Sequence, residues 1–191
     1  LGYTPKAAYL GSLIEHESCI SLTHSKCWNS KSRLKSAREE GAGLGQITRA
    51  FKPDGSIRFD ALSDLKHKYP KELYDLNWQV VYDRPDLQIR ALALMMRDNY
   101  QYFSKHVPDR REAYAFADAA YNGGLGGVEH ERRACKLANW CNPNLWFGNV
   151  EKLCLKSKVA LYGNRSACDI NRHHVEDVLN TRSTKYEKYL N

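Results

Sequence analysis

Three features of the sequence predict a mainly α fold. Apolar residues recur at helical spacing through several long segments. Alternation of apolar and polar residues, the mark of a half-buried strand, is scarce, and Ser56 to Phe59 is only a weak candidate. The six prolines are scattered rather than gathered into a linker, and no repeat or low-complexity tract interrupts the pattern. A chain of 191 residues with 42% hydrophobic content can close one core, so a single domain over 1–191 is expected.

The first helix is expected over Pro5 to Ser21, with Thr4 and Pro5 as cap and first-turn residue and Leu10, Leu13, Ile14 and Glu17 at helical spacing. A second is expected over Asp86 to Phe103, where Leu87, Ile89, Ala91, Leu92, Leu94, Met95 and Met96 surround the axis and predict a buried central helix. Arg111 to Tyr121 is alanine-rich and should be helical until Asn122-Gly123-Gly124 stops it. Further helices are expected around Val128 to Leu137 and His174 to Leu179.

The longest apolar run, Ala91 to Met96, falls far short of the roughly 20 residues that cross a bilayer, so no membrane span is expected. No basic-then-apolar leader is visible, and the chain opens on Leu1. The formal net charge is +7, with the excess at the two ends, which favours a polyanionic partner without choosing among nucleic acid, membrane surface and wall polymer. The six cysteines allow three local disulfides, Cys19 with Cys27, Cys135 with Cys141 and Cys154 with Cys168, or buried free thiols. Disulfides would place the chain in an oxidising compartment.

On a helical wheel Glu17 falls about 20° from Leu10, on the apolar face, whereas Glu15 lies about 140° away and should face solvent. Replacing Glu15 by Gln is therefore expected to matter little. Desolvation disfavours a charged carboxylate, which would suit Glu17 to donate a proton near neutral pH. The other reading is a carboxylate at the edge of the core. Downstream, Gly41-Ala42-Gly43-Leu44-Gly45-Gln46-Ile47-Thr48 lets a backbone or ligand approach closely beside a side chain that both donates and accepts. It matches neither a phosphate loop nor a dinucleotide fingerprint. Ala120-Tyr121-Asn122-Gly123-Gly124 puts a phenol and an amide at a helix end. His16, Glu17 and His24 lack the His-Glu-x-x-His spacing of a zinc peptidase, since residue 20 is Ile. Ser18 lacks a nucleophile elbow, Cys19 has no defined histidine partner, and no nucleic-acid-binding motif accompanies the basic residues.

In this order, Glu17-Ser18, Gly41-Ala42-Gly43-Leu44-Gly45-Gln46 and Ala120-Tyr121-Asn122-Gly123-Gly124 resemble the three motifs of the soluble lytic transglycosylase family, and Asp83 to Leu94 is similar to the helix before the last motif. The resemblance covers Leu10 to Gly124, and 125–191 would be a helical C-terminal part of the same domain. It implies a lysozyme-like helical domain whose cleft takes peptidoglycan glycan strands. The family cleaves the β-1,4 bond between N-acetylmuramic acid and N-acetylglucosamine and leaves a 1,6-anhydro ring. Glu17 would be the general acid and then the base, Ser18, Gln46, Tyr121 and Asn122 would line the cleft, and Tyr121 would hydrogen-bond Glu17. Neither metal nor organic cofactor is implied, nor a nucleic-acid partner. The expected setting is the periplasm or cell wall, as a monomer or part of a larger assembly, in bacterial wall remodelling or in a bacteriophage lysis or virion protein.

Two departures stand out. The stretch between Glu17 and Gly41 is roughly twice the family's usual length, and the inserted Cys19 to Arg38 holds Lys26, Lys31, Arg33, Lys35 and Arg38 without an acid. It reads as a lip that engages an anionic wall or as a solvated loop pinned by a disulfide. A serine common before Gly-Ala in the family is replaced by Arg38-Glu39-Glu40. The nearest alternative is a hydrolytic muramidase like goose-type lysozyme, which needs an aspartate to hold water, with Asp118 or Asp54 as candidates. A non-catalytic wall-binding module is a third class, against which an intact Glu17 argues.

Overall fold

A computed structural model describes residues 6–190, so the Thr4 and Pro5 start of the first helix lies outside the described residues. The chain is about 52% helical and carries a small sheet beside its helices, a mixed α and β fold rather than a purely helical one. It forms two compact units, residues 6–95 with 185–190, and residues 96–184.

The first unit opens with α1 (Ala7–Ser18). Ala8, Tyr9, Gly11 through Glu15 and Ser18 are all buried, and Leu10, His16 and Glu17 are only half-buried. The sequence expectation for the two glutamates is thus corrected: Glu15 is 3% exposed. The wheel took Leu10, Leu13 and Ile14 as the sole buried side. The small residues Ala8, Gly11 and Ser12 let the opposite side pack as well, and Tyr186 lies so near Gly11 that a Cβ there would meet its ring at 2.9 Å.

Four short antiparallel strands follow in the order β1 (Arg33–Lys35), β2 (Glu39–Ala42), β3 (Ile47–Phe51) and β4 (Ile57–Asp60), with a register shift between Ala50 and Phe51. Only β4 overlaps the strand candidate of the sequence. The others escape the pattern because β1 is exposed throughout and β2 ends in Gly41-Ala42, so neither alternates. Asp60 then caps α2 (Ala61–Lys68) by accepting from the Ser63 N–H. The core gathers Ala42, Ile47, Leu62, Leu65, Leu73, Leu76, Val81, Leu87, Ala91 and Leu94.

Helix α3 (Pro85–Phe103) passes from the first unit into the second, and it is not buried all round as its composition predicts, since Ile89 is 41% exposed. The second unit continues with α4 (Arg110–Gly123), capped by Asp109 on the Glu112 N–H, and α5 (Leu125–Leu137). A two-stranded ribbon, β5 (Ala160–Tyr162) and β6 (Arg165–Ser166), leads to α6 (Ala167–Glu176), which a Ser166–Asp169 capping box starts. The expected His174 to Leu179 helix is the end of α6 running into a π-helical stretch, Asp177–Arg182, before α7 (Ser183–Glu187). Phe116 sits in the core of this unit between Phe103 and Trp146, at ring separations of 5.3 and 5.5 Å. All six cysteines pair locally, Cys19–Cys27, Cys135–Cys141 and Cys154–Cys168, leaving none free. Among the described residues no helix is long and apolar enough to cross a membrane.

Candidate functional site

Glu17 stands half-buried in the last turn of α1. Its neighbour Ser18 is buried, and its hydroxyl donates to the Ile14 carbonyl at 2.7 Å and accepts from the Trp28 N–H at 3.1 Å. Ser18 thereby ties the loop closed by Cys19–Cys27 back onto the helix end, and Trp28 takes a left-handed φ of 55° there. On the other side of α1, Glu15 receives the Lys185 ammonium and the Tyr186 hydroxyl. Both partners come from the C-terminal segment, which belongs to the same unit.

The glycine-rich stretch is a packing device. Helix α1 lies against the single turn Gly43–Gly45, and a Cβ on Gly45 would stand 2.2 Å from Leu92 Cδ2. Gly43 combines a φ of +68° with a Cβ position 2.2 Å from Gln88 Oε1, so α3 can approach only where no side chain projects. Gln88, fully buried, accepts from the Leu44 N–H at 2.9 Å and donates to Ser30 and Val81 carbonyls at 3.0 and 2.5 Å. Gln46 follows in a left-handed conformation, half-buried, with its amide donating to the Gly43 carbonyl at 2.8 Å. Sequence reasoning missed Gln88, although an uncharged polar residue between Leu87 and Ile89 in a largely apolar helix was a visible signal.

Glu40 was also missed as a site. It is 1% exposed on β2, between Arg33 of β1 and Arg49 of β3. Arg33 reaches one carboxylate oxygen at 2.6 Å and Arg49 the other at 2.7 Å, while the Tyr82 hydroxyl donates at 2.9 Å. Burial by itself would push the Glu40 carboxyl up, but the hydrogen bonds from Arg49, Tyr82 and Arg33 outweigh it and hold the group below its ordinary range. Burial and the adjacent Glu40 carboxylate push the Tyr82 phenol up to about 12.

Tyr121 and Asn122 belong to the second unit, in the last turn of α4. Tyr121 is half-buried, with its ring stacked at 6.1 Å on His174. His174 in turn pairs through Nδ1 with Asp118 at 2.6 Å, both being buried. Asn122 is exposed, and its side-chain oxygen accepts from Asn171, which also donates to the Ala119 carbonyl. Asp54, the other aspartate considered for holding a water, lies in the β3–β4 turn and accepts from the Ser56 N–H and hydroxyl. Among the described residues no group of His, Cys, Asp and Glu is placed to hold a metal ion.

No family model, curated protein or solved structure matches the chain.

Proposed function

We propose that the chain is a peptidoglycan lytic transglycosylase with Glu17 as its catalytic group. The observation that supports the reading is the setting of Glu17: a half-buried carboxyl in the last turn of α1, next to Ser18, whose hydroxyl ties that turn to the Trp28 loop. A general acid needs a fixed position and access to its substrate. Glu17 protonates the glycosidic oxygen as the bond to C1 breaks, then accepts the proton of the C6 hydroxyl as that oxygen closes on C1. The substrate's acetamido oxygen supports the oxocarbenium-like state, so no second carboxylate is required, unlike the two-carboxylate scheme of most glycosidases. Gln46, Tyr121 and Asn122 are assigned to the glycan by the motif resemblance. Ser18 acts through the loop that it anchors. Hydrolysis draws no support from its two aspartate candidates, since Asp118 is buried against His174 and Asp54 is engaged within a turn. The three disulfides fit work in an oxidising setting such as the periplasm or the cell wall.

The test is mass spectrometry of the products released from purified peptidoglycan by the protein and by Glu17→Gln. Muropeptides ending in 1,6-anhydromuramic acid, absent with a folded Glu17→Gln, are expected. Products heavier by one water would make the chain a muramidase, and no release would favour a wall-binding module.

A further inference from the structure

The Glu40 cluster lies in the first unit and takes no part in the glycosidic chemistry assigned to Glu17. Its two arginines bind the carboxylate in the same way. Arg33 turns Nε and Nη2 to one oxygen, at 2.7 and 2.6 Å, and Arg49 turns Nε and Nη2 to the other, at 3.0 and 2.7 Å. Each guanidinium keeps its Nη1 side, because a planar group offers five N–H donors and one edge uses only part of them. The two arginine side chains are 45% and 25% exposed, whereas that of Glu40 is 2% exposed, so the negative charge lies beneath and the donors lie outward. Arg33, Arg49 and Lys35, which is opposite Glu40 in register, face the carboxylates of Glu40 and of Asp60, which is opposite Arg49, so one positive charge is left over on this sheet face. Aromatic rings hold the arginines in place: Arg49 lies 4.3 Å over Trp78 and 5.5 Å from the Phe51 ring centre, and Arg33 lies 5.7 Å over Tyr82. The usual entropic cost of ordering an arginine on a ligand is thus already met by the fold.

We propose that Arg33 and Arg49, fixed by Glu40, form a receptor for a carboxylate on the ligand. In a peptidoglycan substrate that carboxylate is supplied by the peptide stem, an assignment that rests on the function proposed above, whereas the anion site itself does not. The same oxyanion chemistry is offered by the phosphate groups of other wall polymers.

The test titrates the protein with N-acetyl-D-alanyl-D-alanine, with its C-terminal amide and with glycerol 3-phosphate, following the Trp78 indole and arginine side-chain signals by NMR. Saturable binding of the free acid, none of the amide, and affinity at least about tenfold lower in Arg33→Gln are expected for the loss of one charge-assisted fork. Arg33→Lys should keep the charge yet lose most of the affinity, and it serves if Arg33→Gln misfolds. Equal binding of acid and amide, no binding, or unchanged affinity in both variants would overturn the site. Binding of glycerol phosphate in place of the acid would overturn the peptide-stem assignment. No glycan is present in the titration, so its outcome is independent of whether the chain cleaves peptidoglycan.

Discussion

Neutralising Glu15 and removing its cation are expected to cost different amounts, and the order follows from burial. Glu15 is 3% exposed, and its carboxylate is met by Lys185 and the Tyr186 hydroxyl. Glu15→Gln keeps the volume and the ability to accept from Tyr186, and it replaces charge-assisted bonds by neutral ones, a loss of about 1–2 kcal/mol. Lys185→Met leaves a buried carboxylate short of its cation. For a fully buried pair such a deletion costs about 3–5 kcal/mol. The Lys185 side chain is 43% exposed, however, so water screens the pair and the loss falls to about 2–3 kcal/mol. The double variant should be less damaged than the two single losses added together, because both remove the same interaction. Urea titrations followed by tryptophan fluorescence measure all three, read as midpoint shifts at constant slope. If Lys185→Met costs no more than Glu15→Gln, or if both stay within about 0.5 kcal/mol of the parent, the C-terminal segment does not hold α1 as described.

Two further predictions concern the sheet and the glycine-rich turn. Because the folded pKa of Glu40 lies below its unfolded value, the unfolded chain binds the proton first. The resulting stability is present above about pH 4.3 and is lost as pH falls through the lowered value. Glu40→Gln should therefore be less stable at pH 7 and show a flatter decline below about pH 4.3, and identical acid limbs in urea titrations would refute this. Gly45→Ala drives a Cβ to 2.2 Å from Leu92 and should cost about 1–3 kcal/mol through overpacking. Gly126→Ala, in α5 with open space at its Cβ, should be neutral or stabilising by up to about 1 kcal/mol, and thermal melts of both variants check the contrast.

Local signals in the sequence located the helices well where apolar spacing and breakers agreed. The expected Arg111 to Tyr121 and Val128 to Leu137 segments fall within α4 and α5, with Gly124 between them. The cysteine pairs were legible for a similar reason, since each joins residues close in the chain. The sheet was not, because its strands are three to five residues long and their stability comes from pairing with one another. Nor could spacing reveal Glu15 with Lys185 or Asp118 with His174, contacts between residues far apart in the chain. Of the glycine-rich motif the sequence showed that something must come close. What comes close is α3, through Gln88 and Leu92.

The burial of Glu15 bears on the choice of Glu17 as the proposed catalytic group. Burial on the apolar face first singled out Glu17, but the deeper burial belongs to Glu15, already committed to Lys185 and Tyr186. A carboxyl so enclosed cannot meet a glycosidic oxygen, whereas a half-buried one at the helix end can. The proposal for Glu17 therefore rests on its partial exposure and its place beside the Ser18 anchor instead of on desolvation. Ser18 closes the last turn on Ile14 and holds Trp28, and Glu15 clamps the C-terminal segment against the helix from the opposite side. On the proposed function, α1 carries one carboxylate for anchorage and one for chemistry, and Glu15→Gln should disturb turnover only as far as it loosens α1.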